Sequence, residues 1–226
     1  MSQELQIPSI FQQKGLAKAF QGQAGTHDDS LSDGIGQSFP IISIRGKIWA
    51  LRYRGERKVV VRPDDGSPSG HLDVVILAAA KNKSKSYYKK YDTNQPEGER
   101  PICASLDGIV PDEDVVEKQS DSCALCPRNV WKADPDTGRK GRECTDYKRL
   151  AVFVEPGQSK LALGSPLTEP MFLRVPPDSL NSLAIMGDTM KNQGFDYWTF
   201  WTRITFDPVK SWPSMIFRPN PELGPV

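Results

Sequence analysis

Histidine is scarce in this chain: two in 226 residues, His27 and His71. Neither has a visible partner, which leaves little for acid–base chemistry or for a histidine-rich metal centre. Long apolar runs are missing too. None approaches the roughly eighteen residues a membrane span needs, and the N-terminus carries no apolar signal core. The sequence therefore predicts no membrane association and a cytoplasmic location. Three catalytic signatures are absent: a Gly-rich phosphate loop ending in Gly-Lys-Ser/Thr, His-Glu-x-x-His, and a serine-centred nucleophile elbow. The run Pro111-Asp112-Glu113-Asp114 has no second acidic cluster to complete a two-metal clamp, so a metal-dependent nuclease is the weakest reading, and Asp112 reads as a turn or helix-cap residue. No catalytic residue is assigned, and the chain is read as non-enzymatic.

What is present begins with nineteen prolines and eighteen glycines, which interrupt the chain too often for a helical bundle. Hydrophobic residues at 38% still allow a real core. The net charge of +1 conceals an asymmetry: residues 41–100 carry thirteen Lys and Arg against seven Asp and Glu, whereas 101–148 carry seven against ten. One basic region in a near-neutral chain suits local contact with a polyanion.

All four cysteines fall between Cys103 and Cys144, the middle pair reading Cys123-Ala124-Leu125-Cys126-Pro127. Two thiolates separated by two residues can turn back on one ion, and four soft sulfurs complete a tetrahedral Zn²⁺ shell. The segment is polar, rich in turn residues and poor in large apolar side chains, so a metal staple is the natural source of its order. A redox dithiol shares the spacing but should open a helix after a strand, and here Pro127 and Asp134-Pro135-Asp136-Thr137-Gly138 follow. Disulfides would suit a secreted chain. The expectation is a structural zinc bound by Cys103, Cys123, Cys126 and Cys144, with free thiols as the alternative.

Along the chain, residues 1–38 read as a flexible arm whose Ile10, Phe11 and Phe20 offer a surface for self-association. The body is expected over 39–218, interrupted by a zinc-binding insertion at 101–148 and followed by a tail at 219–226. Strands are predicted over Ile42–Ile48 (one long strand bent at Gly46), Lys58–Val61 after a turn at Arg54-Gly55, Leu72–Ala80, Arg149–Val154, Lys160–Leu163, Tyr197–Phe206 and Ser214–Arg218. One helix follows Pro176-Pro177-Asp178, with Leu180, Leu183 and Ala184 inward and Gly194 as its stop. A mostly β, five-stranded Greek-key barrel of the oligonucleotide-binding type accommodates these parts.

Single-stranded nucleic acid is held by cations along the phosphates and flat side chains against the bases. Lys81, Lys83, Lys85, Lys89 and Lys90 interleave with Tyr87, Tyr88 and Tyr91, and the first strand adds Arg45, Lys47, Trp49, Arg52, Tyr53 and Arg54. Alternation puts Arg45, Lys47, Trp49 and Tyr53 on one face if the glycines leave the register undisturbed. The structural alternative makes the lysines a solvated face and Trp49 a core residue. Trp198, Phe200, Trp201 and Phe206 read as core, Trp201 being the one among them best placed to face outward.

Phe39-Pro40 before a basic strand, Ser84-Lys85-Ser86-Tyr87-Tyr88, Pro101-Ile102-Cys103-Ala104-Ser105-Leu106-Asp107-Gly108-Ile109-Val110-Pro111, Cys123-Ala124-Leu125-Cys126-Pro127 and Cys144-Thr145-Asp146-Tyr147-Lys148-Arg149 occur in an order that resembles the single-stranded DNA-binding proteins of tailed bacteriophages. The resemblance covers about 39–218. It implies an oligonucleotide-binding barrel interrupted by a zinc insertion, a coat on unpaired DNA during replication or recombination, and contact with the proteins of those processes in a host cytoplasm. Many such proteins end in an acidic recruiting tail, and Pro219–Val226 has one acidic residue, which turns attention to the arm as the protein contact. RNA as a second guest is left open. The competing reading is a zinc-stabilised structural or protein-interaction module.

Overall fold

The computed structural model describes residues 40–88, 100–133, 138, 140–223 and 226. The body begins at Pro40, and the arm expected over 1–38 lies outside the described residues.

Ile42 to Ile48 is not one bent strand. Gly46 adopts φ +62°, and the chain turns back there, so β1 (Ile41–Arg45) pairs antiparallel with β2 (Ile48–Tyr53). Arg54 and Gly55 follow at φ +49° and +79°, the two consecutive positive values of a tight hairpin, and lead into β3 (Glu56–Val59). The apolar run 72–80 forms β4 (His71–Ala79) as expected. Beyond it come β5 (Ser84–Tyr87), β6 (Cys103–Ser105), β7 (Lys132–Ala133) and β8 (Lys140–Gly141). The long β9 (Cys144–Val154), β10 (Met171–Val175), β11 (Thr202–Phe206) and β12 (Met215–Pro219) complete the strands.

The main sheet runs β12-β11-β4-β9-β10-β1-β2-β3. Its named neighbours are antiparallel except β1 and β10, which are parallel. β5 pairs with the first part of β9, and β6 pairs with β5. The ribbon β7–β8 is a separate sheet.

Apolar residues at every second position give this sheet one dry face, including Leu51, Val74, Val152, Leu173, Ile204 and Phe217. The sheet curls over that face into a half-barrel. Trp49 of β2 stacks on Phe206 of β11 at 4.3 Å, and Lys47 Nζ donates to the Asp207 carbonyl at 2.7 Å.

Lys160–Leu163, expected as a strand, belongs to helix α1 (Pro156–Leu163). The cap decides it: Glu155 accepts from the amides of Gly157 and Gln158 at 2.8 and 2.7 Å, Pro156 fills the first helical position, and Gly164 at φ +83° ends it. The second helix, α2 (Leu180–Asn192), lies where the capping signals put it and buries Met186 and Met190. Ser179 does not cap it. Its hydroxyl accepts from the Met215 amide at 2.7 Å, Ser182 accepts from Phe217 at 3.0 Å, and these two bonds close the β12 edge.

Two further expectations are corrected. The strand predicted from Tyr197 starts at Thr202, because Asp196 and Thr199 form a turn that leaves Trp198 exposed. Trp201 is half-buried, 6.4 Å from Phe153. His71, for which no partner was visible, stands 3.5 Å from buried Asp73, which also accepts both nitrogens of an Arg203 fork and the Asn220 amide.

Candidate functional site

The cysteine segment is built on strand register. Tyr87 in β5 is opposite Cys103 in β6 and Cys144 in β9, so these three side chains emerge on one face. Cys123–Leu125 is a turn, and Cys126 precedes a short 3₁₀ turn over Pro127–Asn129. Asn129 ties the turn together: its side-chain amide donates to the Cys123 carbonyl at 2.8 Å and its backbone amide to the Cys126 carbonyl at 2.9 Å.

All four cysteines line one cavity of about 10 Å³, roughly the space of one small occupant. They are free thiols; Cys103 is half-buried and the others buried. Burial pushes the Cys144 thiol up to about 11 and moves Cys123 in the same direction, while Lys85 acts against both. Among the described residues no group of three or more His, Cys, Asp or Glu stands in a metal-holding arrangement. The thiols thus surround one void without forming a closed tetrahedral shell. Cys103 and Cys144 belong to strands either side of β5, a backbone separation of about 10 Å.

Beside the cavity, Asp146 is the hub of a cationic cluster. Lys85, Lys83 and Arg142 all bond its carboxylate, the latter two at 3.2 and 2.8 Å. Burial alone would raise this carboxyl; the bonds from Lys85, Arg142 and Lys83 instead bring it down to about 2.

The residues predicted for nucleic-acid contact separate on this scaffold. Trp49 is fully buried against Phe206 and cannot receive a base while the core is closed, which corrects its assignment. The cause is the turn at Gly46: Arg45 points to the opposite face from Trp49, and the shared face assumed for them does not exist. Lys47 is engaged with Asp207. Tyr53 packs on the core edge and its hydroxyl donates to Glu169 at 3.3 Å, with Arg54 5.0 Å from its ring.

Lys85 and Tyr87 are likewise corrected. Both lie in β5 and face the cavity; Lys85 is spent on Asp146, and Tyr87 is buried with Arg128 4.9 Å from its ring. Lys81, Lys83 and Tyr88 are exposed, and Arg52 is half-buried. Lys89, Lys90 and Tyr91 lie outside the described residues.

Register unites Arg52 with residues that sequence patterning did not single out. Ile41 is opposite Arg52 on one side and Phe172 on the other; Phe172 is opposite Ala151, and Arg174 opposite Arg149. Arg52, Phe172, Arg149 and Arg174 therefore share the face away from the core, with Phe153 further along β9. Arg174 covers Tyr147 at 3.8 Å and donates to the hydroxyls of Ser86 and Tyr88, while Arg149 donates to the Ser84 hydroxyl at 2.9 Å and the Leu106 carbonyl at 3.3 Å. The available signal was alternation in Tyr147-Lys148-Arg149 and Phe172-Leu173-Arg174, hidden because β10 was not anticipated.

Within the acidic run, the Asp112 side chain accepts the Leu106 amide at 2.9 Å, a turn role. No described helix is long and apolar enough to cross a membrane. No protein-family profile, curated protein or solved structure matches this chain.

Proposed function

We propose that this protein binds single-stranded DNA, coating unpaired strands in replication or recombination without chemistry of its own. The observation that carries the reading is the Arg149–Arg174 pair. Like charges directly opposite on neighbouring strands destabilise a sheet. Among the described residues, neither arginine is paired with a carboxylate; hydroxyls, a carbonyl and the Tyr147 ring hold them. A phosphate between them would relieve the repulsion, and exposed Tyr88 and half-buried Phe172 and Phe153 flank the position as stacking surfaces.

Strand order supports the oligonucleotide-binding reading. β4, β9, β10, β11 and β12 lie in the order fifth, fourth, first, second, third, with α2 between the third and fourth. That is a Greek-key arrangement whose second and third strands form the nucleic-acid face, here β9 and β10. In this reading β4, not the segment from Ile42, is the first barrel strand, and the β1–β3 meander extends the barrel where β1 runs beside β10. Lys81–Tyr88 and the cysteine segment's β6 then fall between the first two barrel strands.

We also assign the cysteine cavity to a structural zinc. The donor types fit: all four cysteines line one small void, and thiolate sulfur is a ligand that Zn²⁺ takes. When bound, zinc would cross-link β6, β9 and the Cys123–Cys126 turn.

The test is fluorescence anisotropy with a labelled mixed-sequence strand across a salt series. The wild type should prefer the single strand over duplex, with affinity falling as salt rises. The Arg149→Ala/Arg174→Ala variant should bind more weakly, with a salt slope shallower by about 1.4 for two lost phosphates. Salt-independent binding, or equal affinity for duplex, would defeat the proposal; the same strand as RNA decides that preference. A protein-docking role is the second reading, favoured by exposed Leu106, Ile109, Val110, Val116, Leu125 and Val130 around the cysteine segment.

A further inference from the structure

The ribbon β7–β8 stands apart from the main sheet, and its pairing fixes its two faces. Lys132 is opposite Gly141 and Ala133 opposite Lys140. The same register carried back one residue sets Trp131 opposite Arg142, whose guanidinium lies 5.2 Å from the indole centre. One face of the ribbon therefore bears Trp131, Arg142, Ala133 and Lys140, and the other bears Lys132.

Trp131 is 65% exposed. Leaving so large an apolar surface in water is costly, and a tryptophan in that position commonly belongs to an interface. Its cross-strand neighbour is held from behind: Arg142 donates to Asn129 Oδ1 at 2.9 Å and to Asp146 Oδ2 at 2.8 Å. The indole is thus set against an immobilised cation. Lys140 stands on the same face as the indole and Lys132 on the other, both exposed. The nearest described carboxylate in sequence, Glu143, is taken by Arg128 at 2.6 Å.

We infer that this ribbon is a base-stacking arm, with Trp131 receiving one unpaired base and Lys140, on the same face, meeting an adjoining phosphate. A protein-docking tryptophan would sit among apolar side chains; among the described residues of the ribbon, the same face bears Arg142, Lys140 and the Ala133 methyl group beside it. A π face flanked by phosphates is what a nucleic-acid strand supplies. The inference rests on the single-strand reading but concerns a separate place. Asp146, which anchors Arg142, points to the opposite face of β9 from Tyr147 and Arg149, so either contact can be removed alone.

The test uses the full chain, labelled oligothymidylate, and an abasic strand of equal length and charge. Trp131→Ala should weaken oligothymidylate binding between about fivefold and a hundredfold, the range for one lost stacking contact. Its salt slope should stay unchanged, and its affinity for the abasic strand should match that of wild type. Trp131→Phe should retain most of the affinity while losing part of the intrinsic fluorescence quenching seen on binding. Unchanged oligothymidylate affinity in Trp131→Ala, with Arg149→Ala/Arg174→Ala still weakened, overturns the stacking arm and leaves the single-strand reading standing. Equal loss on the abasic strand overturns it as well. Failure of the wild type to bind oligothymidylate defeats both.

Discussion

Trp49 has no exposed surface, stacks on Phe206, and leaves its indole Nε1 without a hydrogen-bond partner among the described residues. Trp49→Ala should therefore cost about 3–5 kcal/mol in chemical denaturation as a cavity in the core. Trp49→Phe should cost far less, since it also deletes an unpaired buried donor, and should leave strand affinity unchanged in the folded protein. A large binding defect in stable Trp49→Phe would contradict this placement. Asp178 makes a different prediction. Lys210 at 2.6 Å, then the Trp212 indole at 2.9 Å, hold its carboxyl down to about 2, against an ordinary 3.8. The folded value is the lower one, so this contribution is complete above about pH 4 and is lost as pH falls toward about 2. Its side chain is 42% exposed, so screening keeps the effect to at most about 1 kcal/mol. Asp178→Asn should flatten the fall of stability over that window in urea titrations, and an unchanged slope would remove the group from the account.

Among the elements, the loop after β6 depends on one glycine. Gly108 sits at φ +72°, and a Cβ there would collide with the Lys83 carbonyl oxygen. Gly108→Ala should destabilise the protein by about 2 kcal/mol, seen as a lower melting temperature, because both backbone strain and a backbone clash oppose it. Wild-type stability in that variant would show that the loop can move away from β5. The elements also differ in how readable they were. β4 was legible because Val74-Val75-Ile76-Leu77 and Leu72 make a run dense in apolar strand formers, and α2 because prolines, a serine and Gly194 bracket an apolar stripe. α1 was not, since Leu161-Ala162-Leu163 is too short to separate a strand from a helix, and the deciding hydrogen bonds come from Glu155. β10 escaped notice because its five residues acquire meaning only beside β9 and β1.

Across the whole molecule, the cysteine cavity joins β6, β9 and the Cys123–Cys126 turn to the sheet that carries Arg149. With zinc in that cavity, as proposed, chelation should release the metal and lower the melting temperature, as should Cys123→Ser with Cys126→Ser, metal content being read by elemental analysis. Full stability and unchanged metal in the double variant would strike these thiols from the ligand set. What the sequence alone determined were the properties carried by local pattern: a mostly β body broken by turns, a helix bracketed by its own stop signals, and the clustering of every thiol in one segment. Only the tertiary structure decided which side chains share a face. A single turn at Gly46 sent Trp49 into the core and Arg45 outward, and strand register, set by partners more than a hundred residues away, brought Arg52 onto the same face as Arg149 and Arg174. The physical reason is that side chains alternate along a strand, so one unforeseen turn or an unseen neighbouring strand redistributes every residue between the dry face and the wet one.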